Sequence, residues 1–240
     1  MAYITCNDLT LGYDGKVIVS GLNFEVKKGD YLCIVGENGT GKSTLIKTLL
    51  RLQEAVSGQI ITGDGLMPHE VGYLPQQTVV QKDFPATVWE IVLSGALSKC
   101  RRKPFYGKAE KTLAQEKMNQ MNIWELRKKC YRTLSGGQQQ RTLLARALCA
   151  ADKVILLDEP VAGLDPKVTA EFYRMIKELN GEGTSVIMVS HDVQAIRYAT
   201  HILHIDRRDT FYGKREEYLK SGKWKMFQDA GGGDHEQCHR

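Results

Sequence analysis

Residues 36–43 have the sequence GENGTGKS, and this glycine-rich loop constrains the fold more than any other stretch of the chain. It follows Tyr31–Val35, which carries no charge, as expected of a strand buried on both faces. It precedes a segment whose apolar residues Leu45, Ile46 and Leu49 recur at helical spacing. The pattern predicts a strand, a phosphate-binding loop and a helix, which together form the first unit of an α/β core.

A phosphate chain requires several hydrogen-bond donors held close together, and this loop can supply them. Glycines at positions 36, 39 and 41 let backbone N–H groups approach the phosphate oxygens where any Cβ would intrude. The N-terminus of the following helix adds its partial positive charge. We therefore expect Lys42 to reach the β- and γ-phosphates of a nucleotide, and the hydroxyl of Ser43 to bind Mg²⁺.

Strand-like patterns occur on both sides of the loop. Residues 3–35 alternate short β-like runs with turns, one of them at Asp14-Gly15, and predict an N-terminal antiparallel lobe. Apolar runs at Val154–Leu157, Ser185–Val189 and His201–Ile205 predict further strands of the core. We expect these strands to extend a mostly parallel sheet.

Helical patterns occupy the segments between these strands. Residues 84–145 contain helical runs at Val88–Ala96 and Ala109–Met121 and few strand-forming residues, which predicts an inserted helical lobe. Apolar residues at 168, 172, 175, 176 and 179, preceded by Asp165-Pro166, predict a capped helix facing the core, and 192–199 is expected to be helical as well.

Two domain boundaries follow from this organisation. We expect one domain over residues 1–222, with the helical lobe of residues 84–145 inserted into it. Residues 223–240 are expected to form a partly disordered C-terminal tail, since three consecutive glycines stand at 231–233.

Two adjacent carboxylates end one of the predicted core strands. Asp158 and Glu159 directly follow Val154–Leu157, so the strand delivers both to the sheet edge that also carries the phosphate loop. The pair could instead cap the next segment. The presence of the phosphate loop favours a role in nucleotide chemistry.

Composition excludes several other classes of protein. A chain with 42% hydrophobic and 25% charged residues is typical of a globular protein. No apolar run approaches the roughly 20 residues that span a bilayer, and the N-terminal pattern is strand-like, so we expect a cytosolic chain without a signal peptide. The basic run at 99–103 lacks interleaved aromatic residues and does not favour a nucleic-acid site. Six scattered cysteines predict buried, reduced thiols.

Phosphate loops occur in GTPases, kinases and helicases, so the loop and the carboxylates indicate a nucleotide without indicating a family. Residues 134–141, LSGGQQQR, are more specific, because Ser135 and two glycines open another predicted helix suited to a γ-phosphate. With these three motifs in this order, residues 3–213 resemble the ATPase subunit of an ATP-binding cassette (ABC) transporter. The resemblance implies ATP hydrolysis by a RecA-like P-loop NTPase core carrying the antiparallel and helical lobes described above.

The resemblance also implies a role for each residue that matches a family motif. Catalytic roles fall to Glu159 as general base, to His191 and Lys42 at the phosphates, and to Gln76 at the attacking water. Mg²⁺ is expected at Ser43, Gln76 and Asp158. Tyr13 matches the aromatic residue that stacks on adenine. The full set of expected ATP contacts is Tyr13, Gly36, Asn38, Gly39, Gly41, Lys42, Ser43, Thr44, Gln76, Ser135, Gly137, Asp158 and Asp165.

Several partners are implied by the same resemblance. Two copies of the chain are expected to meet head to tail around two ATP molecules, with Ser135 and Gly137 of one copy completing the site of the other. A separate integral membrane permease would dock near Gln76–Gly95, placing the chain at the cytoplasmic face of the cell membrane as a peripheral subunit. An extracytoplasmic solute-binding protein would act indirectly, and no nucleic acid is expected.

The sequence indicates the transported solute less specifically than it indicates the family. Residues 81–95 are similar to cassettes for zinc or manganese uptake, although iron-siderophore cassettes are similar there too, and an exporter is a further alternative. A non-transport ABC ATPase of chromosome maintenance would place a long coiled coil between the phosphate loop and LSGGQQQR, and only about 90 residues separate them. A ribosome-acting cassette protein would carry two copies of the cassette in one chain, and this chain carries one. Residues 234–239, DHEQCH, have metal-ligand chemistry, with a solvated tail as the simpler interpretation.

Overall fold

The structure is a computed structural model that describes residues 2–67, 70–77, 83–100, 105–151, 153–206 and 209–231. The chain forms two compact units. The first unit comprises Met1–Leu66 together with Ser185–Arg240, and the second comprises Met67–Thr184. No helix in the described ranges is both long enough and apolar enough to cross a membrane.

An antiparallel sheet forms one part of the first unit. Its strands are β1 (Ala2–Tyr13), β2 (Lys16–Lys27) and β4 (Ser57–Thr62), in the order β2-β1-β4. The two-residue loop Asp14-Gly15 joins β1 to β2 with φ angles of 52° and 73°, the left-handed geometry that suits a tight hairpin. The antiparallel lobe and its turn were predicted, whereas β4 was missed.

A mostly parallel sheet forms the other part of the first unit. Strand β3 (Tyr31–Val35) lies between β7 (Ser185–Val189) and β8 (His201–His204), parallel to both. Strand β9 (Phe211–Lys214) pairs with β8 in the antiparallel sense. Every residue of β3 and β7 is buried, in agreement with their uncharged sequences.

The helices of the first unit are α1 (Lys42–Leu49), α6 (Val193–Ile196), α7 (Arg215–Lys220) and α8 (Gly222–Gly231). Helix α6 is shorter than the predicted helix over 192–199, because the chain leaves helical geometry after Arg197 and enters β8. Helix α8 occupies the start of the segment predicted as a tail. Its Phe227 is buried and contacts the ring of His204 in β8, so this part packs against the core. Residues 232–240, with the DHEQCH stretch, lie outside the described residues.

The second unit combines a pair of parallel strands with helices. Strand β5 (Val71–Leu74) pairs with β6 (Val154–Asp158). The helices are α2 (Val88–Ser94), α3 (Lys108–Gln120), α4 (Gly136–Ala150) and α5 (Pro166–Gly181), with short 3-10 turns at Leu97–Cys100, Trp124–Leu126 and Tyr131–Thr133. The predicted helices over 88–96 and 109–121 agree with α2 and α3 to within two residues.

Side-chain caps explain where three of these helices begin. Thr87 forms a capping box with Glu90 at the start of α2, and Ser135 forms one with Gln138 at the start of α4. Asp165 accepts hydrogen bonds from two backbone N–H groups at the start of α5, followed by Pro166 at the first helical position, as predicted.

Candidate nucleotide site

The loop between β3 and α1 has the backbone geometry that its glycines predict. Gly36, Gly39 and Gly41 have φ angles of 146°, 79° and 103°, which L side chains rarely adopt. A Cβ on Gly36 would lie 2.3 Å from the carbonyl oxygen of Ile205, so that position has no room for a side chain. The loop is therefore a concave run of backbone at the N-terminus of a helix.

Lys42 is buried at the start of α1 and folds back over this loop. Its Nζ donates hydrogen bonds to the carbonyl oxygens of Gly36 at 2.8 Å and Glu37 at 2.7 Å. Burial of an ammonium group requires such partners. The side chains of Asn38 and Ser43 are exposed beside it, and Thr44 is half-buried.

His191 is carried to the same sheet edge as the loop. Strands β3 and β7 are parallel with Ile34 opposite Val189, so the segments that follow both strands leave the sheet side by side. His191 is half-buried two residues after Val189. The neighbouring Ser190 and Asp192 are tied by a hydrogen bond from the Asp192 N–H to Ser190 Oγ, which fixes the backbone around the imidazole.

Tyr13 is the last residue of β1, and its side chain is 65% exposed. It pairs with Lys16 across the hairpin, next to the pair formed by Gly12 and Val17. Val17 is exposed as well, at 59%. The exposed aromatic ring of Tyr13 is a surface on which a planar base can stack.

In the second unit, Gln76 and Glu159 lie in contact. Strands β5 and β6 are parallel with Leu74 opposite Leu157, so the residues after both strands meet at one edge. Gln76 Nε2 donates to Glu159 Oε2 at 3.4 Å. Glu159 has a φ of 46°, an uncommon left-handed conformation for a residue other than glycine.

Asp158 is buried at the end of β6, beside Tyr73 of β5. Burial, reinforced by the negative charge of Asp158, raises the pKa of Tyr73 to about 12. A buried carboxylate next to two polar side chains at a strand end has the donor chemistry that Mg²⁺ prefers. The paired carboxylates therefore differ in setting, with Asp158 enclosed and Glu159 half-buried.

The LSGGQQQR stretch opens helix α4 with its polar end toward solvent. Ser135 is exposed at the helix N-terminus, where its Oγ accepts a hydrogen bond from the Gln138 N–H. A Cβ on Gly137 would lie 2.6 Å from Val168 Cγ1, so the close approach of α4 to α5 requires glycine here. Arg141 forms an ion pair with Glu171 of α5 at 3.0 Å. Asp165, the cap of α5, is also exposed.

The predicted site residues thus fall into two sets. In the first unit, the loop residues, Lys42 and His191 share one sheet edge, and Tyr13 stands at the end of β1. In the second unit, Gln76, Asp158 and Glu159 share the edge of the β5–β6 pair, while Ser135, Gly137 and Asp165 lie at the N-terminal ends of α4 and α5.

A groove in the second unit was only partly anticipated. It encloses about 310 Å³. Its lining includes Tyr73 of β5 and Pro75 just after it, Ser94 at the end of α2, Leu97 of the next 3-10 turn, and Arg146 of α4. Arg146 Nε donates to Ser94 Oγ at 3.2 Å across the groove wall. Sequence reasoning singled out residues 76–95 as a docking region and missed Arg146, because it lies some fifty residues further along the chain and no local pattern marks it.

Comparison with known proteins agrees with this geometry. The model of the ABC transporter family matches residues 19–162, which is more than half of the chain. The manganese transport system ATP-binding protein MntB of Listeria monocytogenes is 34% identical over 90% of this chain and 91% of its own length. The zinc transport system ATP-binding protein TroB of Treponema pallidum is 33% identical over 85% of this chain and 79% of its own.

A solved structure has the same fold. The inward-facing conformation of a metal-chelate type ABC transporter superposes with a TM-score of 0.86 at 27% identity, covering 95% of this chain and 90% of that chain. The predicted α/β fold with an N-terminal antiparallel lobe is therefore confirmed. The chain belongs to the ABC transporter family, as an ATP-binding subunit that hydrolyses ATP.

Proposed function

We propose that this ATPase drives the import of a divalent metal ion, zinc or manganese, through a separate membrane permease. The observation that carries the proposal is the hydrogen bond from Gln76 to Glu159. Gln76 directly follows Pro75, which lines the groove, so a partner that fills the groove lies one residue from a side chain in contact with Glu159. Occupancy of the groove and ATP chemistry are thereby linked.

The phosphates of ATP are assigned to the first unit. The glycine loop fits them, since Gly36, Gly39 and Gly41 adopt positive φ angles at the start of α1 and Lys42 donates to two loop carbonyls that phosphate oxygens can replace. Asn38, Gly39, Gly41 and Thr44 would contribute further contacts, and Tyr13 would stack on the adenine. His191 would donate to the γ-phosphate.

Mg²⁺ would be held by Ser43, Gln76 and Asp158, an all-oxygen set that suits a hard cation. When bound, the ion neutralises charge on the phosphates. Glu159 would act as general base toward the attacking water. Its carboxylate is suited to that role because it is half-buried and is oriented by the amide of Gln76.

The active form would be a homodimer with two ATP molecules at its interface, in head-to-tail arrangement. The exposure of Ser135 and Asp165 supports this, because both cap helices whose N-terminal ends face solvent. A helix N-terminus attracts negative charge. Ser135 and Gly137 of one copy would therefore bind the γ-phosphate of ATP held by the partner copy.

The permease would dock in the groove of the second unit. Leu97 at its rim is 65% exposed and would offer apolar surface to an inserted segment. Arg146 adds a charged group that can bond backbone carbonyls of an inserted segment. Docking would hold the chain at the cytoplasmic face of the membrane, and an extracytoplasmic solute-binding protein would deliver the ion from the other side.

The metal assignment is supported by the two relatives, which are ATP-binding proteins of a manganese and of a zinc transport system. The test is to delete the coding sequence in its host and measure cellular uptake of radioactive zinc, manganese and siderophore-bound iron. Loss of zinc or manganese uptake, restored by the wild-type chain and not by Glu159→Gln, is the expected result. Loss of siderophore-iron uptake alone would overturn the metal assignment.

A further inference from the structure

Tyr131 is a buried tyrosine, 1% exposed, whose polar groups contact three separate segments of the second unit. Gln77 Nε2 donates to its hydroxyl oxygen at 2.7 Å. Gln139 Nε2 donates to its carbonyl oxygen at 3.1 Å. Its own N–H donates to the carbonyl oxygen of Ala86 at 2.8 Å.

Each of these segments has a place in the proposed mechanism. Gln77 follows Gln76, whose amide contacts Glu159. Gln139 lies in the first turn of α4, the helix that begins at Ser135. Ala86 precedes the cap of α2, whose other end reaches the groove at Ser94. Tyr131 is thus bonded to the loop beside Glu159, to the LSGGQQQR helix and to the helix that leads to the groove.

Residues 127–130, which precede Tyr131, form backbone hydrogen bonds and a β-bridge with the start of α2. The N–H of Val88 donates to the carbonyl of Lys129, and that of Trp89 donates to the carbonyl of Arg127, both at 3.0 Å. Thr87 and Cys130 form an antiparallel bridge between them. Any displacement of the N-terminal end of α2 is therefore transmitted to Tyr131 through the backbone.

The hydroxyl of Tyr131 contributes a directed bond that its ring does not. Burial raises the pKa of Tyr131 to about 12, opposed by the hydrogen bond from Gln77, so the group is neutral at pH 7. A phenylalanine ring would fill the same space, so packing alone does not require the oxygen. What the hydroxyl oxygen adds is that it accepts the hydrogen bond from Gln77.

We propose that Tyr131 is a positioning residue that couples the Gln76-Gln77 loop and the start of α2 to the placement of Ser135. Tyr131 lies four positions before Ser135 in the chain, and its carbonyl accepts a hydrogen bond from Gln139 in the first turn of α4, so a shift of Tyr131 would act on the start of this helix. The inference deepens and rests on the proposed function, since it concerns the step in which Ser135 meets the partner's ATP.

The test is Tyr131→Phe in the full chain, assayed for Mg-ATP hydrolysis. We expect kcat to fall about three- to tenfold while KM and the equilibrium affinity for ATP stay within about twofold, as for a residue that affects coupling without touching nucleotide. The matched control is Tyr212→Phe, which also removes a tyrosine hydroxyl hydrogen bond, here to the Glu25 carbonyl in the first unit. This control should keep the wild-type kcat.

A double-mutant cycle with Gln77→Leu separates a specific bond from general loosening. If the hydroxyl and the amide act through each other, Gln77→Leu should lower kcat to a similar extent, and the double variant should be no slower than either single variant. Gln77→Leu also keeps the test decisive if Tyr131→Phe does not fold.

Three results would overturn the inference: an unchanged kcat in Gln77→Leu or in a folded Tyr131→Phe, multiplicative losses in the double variant, or a fall in ATP affinity that accounts for the lost rate. Failure of the proposed function would look different. In that case deletion of the coding sequence would leave the cellular uptake of zinc and manganese unchanged, whatever the kcat of Tyr131→Phe.

Discussion

The amide of Gln76 donates to the carboxylate of Glu159 across 3.4 Å, so the loop after β5 reaches the residue that directly follows β6. In the mechanism that we propose, the attacking water molecule would donate a hydrogen bond to this carboxylate.

Glu159→Gln should bind ATP and hydrolyse it at least about 100-fold more slowly, because general-base assistance contributes roughly 10²–10⁴ in rate. Uncleaved ATP should then hold two copies together. Phosphate release and light scattering at saturating ATP measure the two effects. Glu182→Gln, an exposed glutamate that accepts a bond from Gln120, is the control and should behave as wild type. Normal turnover of Glu159→Gln would exclude it as the base.

Lys42→Ala should weaken ATP binding about 10- to 100-fold, since a charged hydrogen-bond partner of the phosphates is lost. The loop carbonyls of Gly36 and Glu37 lose their donor at the same time. An equilibrium titration with Mg-ATP measures the affinity. Lys47→Ala removes an exposed lysine from the last turn of the same helix and should leave the affinity unchanged. Equal affinities for both variants would contradict the assignment of Lys42.

Two engineered cysteines, one near Ser43 and one near Ser135, should crosslink between two chains when ATP is present. The helix N-terminus at Ser135 is exposed and would face the phosphate loop of the partner copy. The experiment uses a background in which Cys130 and Cys238 are replaced, so that these two native thiols cannot compete. Each cysteine alone serves as control. Crosslinking confined to single chains would refute the head-to-tail dimer.

Gly137→Ala should lower the free energy of unfolding by about 1–3 kcal/mol, because a new Cβ would be forced against Val168 and overpacking has costs of this size. Gly136→Ala is the matched control. Its Cβ would lie 3.2 Å from the flexible end of Leu164, so its effect should stay below about 1 kcal/mol. Urea unfolding of both variants provides the comparison. A larger loss for Gly136→Ala would contradict the packing argument.

Stability should fall as the pH rises above 9. Burial raises the pKa of Cys6 and of Cys33 to about 12 from an ordinary value of 9.0, so the unfolded chain loses these protons first. Between pH 8 and pH 10 each thiol should reduce the free energy of unfolding by about 1.4 kcal/mol. In Cys33→Ala the free energy of unfolding should fall by about 1.4 kcal/mol less between pH 8 and pH 10 than it does in the wild type. The same difference is expected for Cys6→Ala. Urea unfolding under reducing conditions is the measurement, and an unchanged slope in both variants would refute the argument.

The sequence was sufficient to predict the features that depend on local backbone structure. The phosphate loop, the capped starts of α4 and α5 and the buried strands β3 and β7 all follow from residues within a few positions of one another. Their glycines, caps and apolar runs act at short range, so each can be recognised without knowing the rest of the fold.

Other features depend on tertiary contacts and could not be predicted from the sequence. The short strands β4, β5 and β9 contain glycine or too few apolar residues to show a period of two, and they form because neighbouring strands supply hydrogen bonds. Tyr131 meets Gln77 across 54 positions of sequence, and no pattern links the two. The hydrogen bonds of Lys42 to its own loop are likewise visible only in three dimensions.

The left-handed backbone of Glu159 has a consequence for how this enzyme is assembled. A positive φ at a glutamate is disfavoured by roughly 1–3 kcal/mol, and the surrounding fold must compensate for it. The direction of the carboxylate is therefore set during folding, before any nucleotide arrives. For the general base that we propose, such preorganisation would leave little reorganisation energy to be supplied at the moment of reaction.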